Sequence, residues 1–146
     1  MSAAPVTIRP FADADEQAVV DLWARCGLIR PWNDPHADIA RKRSVQPELF
    51  LVAFLVAIAD GSTTIAGTVM AGYDGHRGWI NYLATEPARR RQGIARALMH
   101  AAEAGLARLG CPKINLQIRG DNRDAIAFYQ RLGFAEDAVV SMGKRL

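Results

Sequence analysis

The sequence has little cysteine, no long apolar run and none of the common phosphate loops, and each absence removes a class of function. Only Cys26 and Cys111 occur in 146 residues, far apart and without CxxC spacing. Neither a disulfide framework nor a zinc site is indicated, so ordinary reduced thiols and no metal are expected. No stretch approaches the roughly 18 apolar residues of a membrane span. The N-terminal MSAAPVTIRP lacks both the positive and the apolar region of a secretion signal. The expectation is a soluble, cytoplasmic protein with no membrane partner. The net charge is only +3 and aromatic residues make up 8% of the chain. No basic stripe is interleaved with aromatics, so nucleic acid is not an expected partner. GxxxxGK[ST] is missing, as is GxGxxG after a first strand, which removes two familiar nucleotide cradles.

What is present suits one enclosed core. Half of the residues are apolar and 23% are charged, which at this length predicts a single domain over residues 1–146. The charge is uneven, with six acids against three bases in residues 1–40 and a basic excess in the remainder. Such a division suits two ligands of opposite character.

Val6 to Arg9 reads as a strand, followed from Asp13 by a helix with Ala18, Val19, Leu22 and Trp23 at helical spacing and a stop near Cys26-Gly27. Asp34-Pro35 is a good start for a second, short helix. Leu49 to Ala59, Ile65 to Tyr73 and Trp79 to Ala84 read as three successive strands, separated by Asp60-Gly61 and by the turn DGHRG. A long amphipathic helix follows from Ile94, ending at Gly110. Lys113 to Ile118 reads as a strand, then a helix presents Ala125, Phe128, Tyr129 and Leu132 on one face and stops at Gly133. A last strand is expected at about Ala138 to Lys144. This order predicts a mixed α/β (α+β) sandwich.

Between the third strand of the meander and the long helix lies ARRRQGIARAL, residues 88–98. At a helix start the backbone N–H groups are unpaired and the helix dipole favours negative charge. Gly93 and Ala95 keep the turn nearly bare, so an anion can approach the amides, and Arg89 to Arg91 surround it with positive charge. A solvated basic turn is the competing interpretation from composition alone.

With Arg90, Gly93 and Ala95 in the pattern Arg/Gln-x-x-Gly-x-Gly/Ala, and DNRDAIAFYQRLGF downstream, the sequence resembles the GNAT superfamily of acyl-CoA-dependent N-acetyltransferases. Over nearly the whole chain the order of elements agrees. The segment CGLIRPWNDPHADIARK and the turn GYDGHRG are similar to a small bacterial subgroup, the YpeA type. The resemblance implies a GNAT-like, mostly antiparallel sheet, splayed between its fourth and fifth strands and flanked by helices. It implies acetyl-CoA as cosubstrate, a primary amine on a small molecule or protein as acceptor, and direct attack in a ternary complex. Backbone groups of Arg90, Arg91, Gln92, Gly93, Ile94, Ala95 and Arg96 would hold the pyrophosphate. Leu83 and Thr85 would offer main-chain groups to the pantetheine arm and thioester, and Asn122 would touch the same arm. Tyr129 would protonate the departing thiolate. Sheets of this kind often dimerise in the family, which makes a homodimer an expectation, although no interface can be read from the sequence.

Each residue also has a plainer interpretation. Asn122 suffices as a helix N-cap, and by spacing alone Tyr129 is a core aromatic beside Phe128. WINYLA contains no carboxylate, and INLQIR offers Gln117 where some family members carry a glutamate base. A water-mediated route, or Asp34, Asp74, His76 or Glu86, is left to take the proton. Trp32, His36 and Asp38 fall in the region that borders the acceptor in the family. The missing glutamates also admit an alternative, a non-catalytic acyl-CoA binding or sensing module.

Overall fold

The computed structural model describes residues 6–146. Its backbone forms two compact units, one ending at Leu116 and one from Gln117 to Leu146. The first contains five strands: β1 (Thr7–Pro10), β2 (Phe50–Val56), β3 (Thr63–Tyr73), β4 (Gly78–Thr85) and β5 (Ile114–Leu116). They lie in the order β1-β2-β3-β4-β5, antiparallel except for the parallel β4–β5 pair. The helices of this unit are α1 (Glu16–Arg25), α2 (Pro35–Arg43) and α3 (Ile94–Arg108). The second unit holds α4 (Arg123–Arg131).

Local chemistry accounts for most of these boundaries. Asp34 caps α2, its Oδ1 accepting from His36 N at 3.0 Å and Ala37 N at 3.2 Å, with Pro35 at the first helical position. In α1, Val19, Val20, Leu22 and Trp23 form the buried stripe, joined by Ile39, Phe50, Val52, Met70 and Ala84 in a common cluster. The Trp23 and Phe50 rings stack at 6.2 Å, and Phe50 also stacks on Phe11 at 4.5 Å. In α3, the buried side chains Ile94, Leu98, Met99, Ala102 and Leu106 repeat at helical spacing.

The structure departs from the sequence expectation at the C-terminus. Ala138 to Lys144 forms no strand, and Val139, Val140, Met142 and Leu146 are exposed. The apolar pair Val139-Val140 has strand propensity, but among the described residues no strand pairs with it, and a strand without ladder partners gains little from propensity. The β5 strand is likewise shorter than expected, Ile114–Leu116 in place of Lys113 to Ile118.

One glycine sets how closely α3 approaches the sheet. A Cβ on Gly67 of β3 would lie 2.9 Å from the Ala84 carbonyl oxygen, the Ile94 Cγ2 and the Leu98 Cδ1. The bare position therefore lets the first turns of α3 seat directly on β3. Gly67→Ala should lower stability by about 1–3 kcal/mol, measured by urea unfolding, because one of the three clashing atoms is backbone and cannot rotate away.

Candidate functional site

The site is assembled around the C-terminal half of β4. Strand β5 pairs only with Gly78, Trp79 and Ile80, so Asn81 to Thr85 have no β5 partner. On its other side β4 is interrupted too. Thr68 pairs with Ala84 and Met70 with Asn81, which leaves Tyr82 and Leu83 opposite the single residue Val69. This is a β-bulge, and Tyr82 sits in it at φ +51, a left-handed conformation that is uncommon for an aromatic residue.

Side chains from three elements hold the bulge. The Trp23 ring stacks on the Tyr82 ring at 3.8 Å, nearly parallel. Trp23 Nε1 donates to Thr68 Oγ1 at 2.9 Å, and the Thr68 hydroxyl donates to the Tyr82 carbonyl at 2.8 Å. The Tyr82 hydroxyl donates to Asp38 Oδ2 on α2 at 2.6 Å. Burial and the neighbouring Asp38 both push the Tyr82 phenol well above its ordinary range, so it remains a protonated donor at any physiological pH.

Beyond Thr85 the chain makes a 3-10 turn, Pro87–Arg89, and then enters α3. Arg91 at φ +65 and Gly93 at φ +82 both adopt the left-handed conformation, and turns that mix the two hands gather successive N–H groups on one concave side. No side chain caps α3, and the amide of Ala97 is bonded back to the Gly93 carbonyl at 3.0 Å. A Cβ on Gly93 would meet nothing within 4 Å, so the space beside this turn residue is open. Arg90, Arg91, Gln92 and Arg96 are exposed around it, while Ile94 anchors the turn in the core. These features fit a phosphate-bearing ligand.

Cys26, expected from the sequence to be an ordinary reduced thiol, ends α1 with its Sγ 3.2 Å from the Thr85 carbonyl. Burial raises this thiol above its ordinary pKa, against the pull of the nearby Arg90 guanidinium. Next to it Arg25 binds Glu86 through Nε at 3.0 Å and Nη2 at 2.6 Å.

The candidate bases are mostly engaged elsewhere. Asp34 is the α2 cap, and Glu86 is paired with Arg25. Asp74 accepts from His76 N, Arg77 N and Trp79 Nε1 in the β3–β4 hairpin. That hairpin joins β4 at Gly78, about 20 Å from Thr85 and about 13 Å from Tyr82 at the usual rise per residue. His36 Nδ1 contacts Glu16 Oε2 at 2.6 Å, and Trp32 is exposed. Of the acceptor-side residues named from sequence, it is Asp38 that reaches β4.

In the second unit, Asn122 caps α4, its Oδ1 accepting from Ala125 N at 3.2 Å. Tyr129 packs edge-on against Phe128 at 5.2 Å and Phe134 at 5.6 Å. Burial pushes its hydroxyl up to about 12. Gln117 donates to Ser141 Oγ. Among the described residues no group of three or more His, Cys, Asp or Glu is arranged to hold a metal ion, and no helix is long and apolar enough to cross a membrane.

Residues 16–134 match the model of the Acetyltransferase (GNAT) family. The chain belongs to this family. The GNAT chain is 47% identical over 140 residues to acetyltransferase SG1711 of Sodalis glossinidius, covering 95% of this chain and 94% of that one. It also shares its fold with Ard1 from Thermoplasma volcanium (TM-score 0.72, 24% identity, 91% and 84% of the two chains). The ribosomal-protein-S18-alanine N-acetyltransferase of Escherichia coli is a further structural neighbour (TM-score 0.70, 24% identity, 92% and 80%). Family membership makes the protein an acyltransferase.

The raised thiol pKa has a direct consequence. With Cys111→Ser as background, alkylation of Cys26 by iodoacetamide should be slower than that of a free thiol at pH 7.5. Its rate should still be rising above pH 9, because the thiolate is the reactive form. A plateau below pH 8.5 would contradict the placement.

Proposed function

We propose that this GNAT enzyme transfers an acetyl group from acetyl-CoA to a primary amine by direct attack in a ternary complex. One observation carries the reading: the half of β4 without a β5 partner leads, through the 3-10 turn, into an uncapped helix start with open space at Gly93 and arginines around it. In this reading the backbone from Arg90 to Arg96, with the side chains of Arg90, Arg91, Gln92 and Arg96, holds the pyrophosphate. Leu83 and Thr85 offer main-chain groups to the pantetheine arm and the thioester, and Asn122 adds a contact to that arm. We further infer a YpeA-type subgroup, a cytoplasmic location, a single domain and no metal.

The chemistry balances without an acyl-enzyme. The neutral amine nitrogen attacks the thioester carbonyl carbon, the C–S bond breaks, and Tyr129 delivers its proton to the departing sulfur. The proton shed by the amine restores the phenol. A hydroxyl held near 12 is fully protonated at neutral pH, which is the state this role requires, although it is a weaker acid than a free phenol. Attack needs the free amine. An α-amine with pKa near 8 has a usable neutral fraction at pH 7.5, whereas a lysine near 10.4 has only about a thousandth.

Thermal unfolding with acetyl-CoA tests the binding half of the reading. A ligand at about a hundred times its Kd adds roughly 2.7 kcal/mol, a shift of several degrees for a domain of this size. The shift should disappear in Gly93→Glu, and its absence in the native protein at millimolar acetyl-CoA would refute the site. For turnover, Tyr129→Phe should lower kcat by roughly two orders of magnitude with little change in KM for acetyl-CoA. An unchanged rate would remove Tyr129 from the mechanism. The pH profile then reports the acceptor: kcat/KM should level off near pH 8 for an α-amine and keep rising beyond pH 9 for a lysine.

A further inference from the structure

The hydrogen-bond chain behind the bulge has a fixed polarity. An indole N–H can only donate, so the Trp23 Nε1 bond to Thr68 Oγ1 occupies an oxygen lone pair and leaves the hydroxyl proton free to point elsewhere. That proton is directed to the Tyr82 carbonyl, 2.8 Å away. Both Trp23 and Thr68 are completely buried, so water does not compete for the indole N–H or the threonine hydroxyl.

The carbonyl of Tyr82 and the N–H of Leu83 belong to one peptide unit. In a planar trans peptide they point in opposite directions. Because Thr68 on β3 draws the Tyr82 carbonyl toward itself, the Leu83 N–H is turned away from β3, to the side where β4 has lost its β5 partner. Hydrogen bonds in series polarise one another, so a carbonyl that accepts from a hydroxyl itself accepting from an indole makes the attached N–H a better donor. The Trp23–Tyr82 stack and the Asp38 bond to the Tyr82 hydroxyl hold the residue at its left-handed φ while this happens.

The geometry points to Trp23 and Thr68 as positioning residues that aim and strengthen the Leu83 amide as the donor to the thioester carbonyl. This inference rests on the acetyl-CoA reading above and adds to it residues that never touch the ligand. It also gives the buried threonine a specific purpose: a valine of the same shape would fill the space but leave the Trp23 N–H and the Tyr82 carbonyl without partners, and would release the peptide to rotate.

Isotope-edited infrared spectroscopy of acetyl-CoA labelled at its carbonyl carbon tests this without an acceptor. In the native complex the carbonyl stretch should fall relative to free acetyl-CoA. The fall should be smaller in Thr68→Val and restored in Thr68→Ser, which keeps the hydroxyl. Wherever turnover is measured, Thr68→Val should lose about ten- to a hundredfold in kcat, a softened version of deleting an oxyanion donor, with KM for acetyl-CoA nearly unchanged. Trp23→Phe removes the indole donor while keeping an aromatic ring at the stack and should shift the band in the same direction, which keeps the test intact where Thr68→Val does not fold. Identical bands in native, Thr68→Val and Trp23→Phe complexes would overturn the inference while leaving acetyl-CoA binding in place. Failure of the native protein to bind acetyl-CoA would overturn the proposed function and this inference together.

Discussion

One extra residue in β4 governs the arrangement. A regular ladder between β3 and β4 would commit each β4 backbone group that faces β3 to a partner there and keep a strict alternation between the two sides. By placing Tyr82 and Leu83 opposite Val69 alone, the chain breaks the alternation at the point where β5 also drops away. The cost is a non-glycine residue at positive φ, a strain of order 1–3 kcal/mol that persists only when the surroundings over-determine it. Here they do so through a stacked indole, a threonine hydroxyl and an aspartate, contributed by α1, β3 and α2. The core of this unit is therefore also the support of its candidate site.

Much of the layout was legible in the sequence because it follows from local rules. Asp34-Pro35 signals a helix start through capping and proline geometry, and both operate in the structure. The helix from Ile94 was visible in its apolar spacing, and the glycine at its threshold in the need for a bare turn. The bulge was not legible. WINYLA carries an ordinary strand pattern, and nothing within it says that Tyr82 will pair with a residue forty-four positions earlier. Trp23 read simply as part of the buried stripe of α1, which it is. Its indole N–H has a partner that depends on how α1 packs across β3, and that is tertiary information. The absent final strand shows the converse, since propensity at Val139-Val140 is local while a strand requires a neighbour.

The links to the acceptor side are similarly long-range. Asp34, Glu86 and Asp74 looked equivalent as carboxylates in the sequence, but the fold gives each a structural partner. Asp38 differs because its partner is the bulge itself, while its other oxygen pairs with Arg41 one turn along α2. Through Asp38, helix α2 is thus joined to β4 at the hydroxyl of Tyr82. Cys26 and Thr85 make a second such junction, tying the end of α1 to the last residue of β4.

The start of α3 has one more consequence. A helix that begins with no capping side chain forgoes about 1 kcal/mol that a serine or aspartate would supply. An anion seated there would provide the missing interaction, so the ligand would act as the cap. The free enzyme would then be the less stable species, and mass action would tie the folded population to the supply of acyl donor.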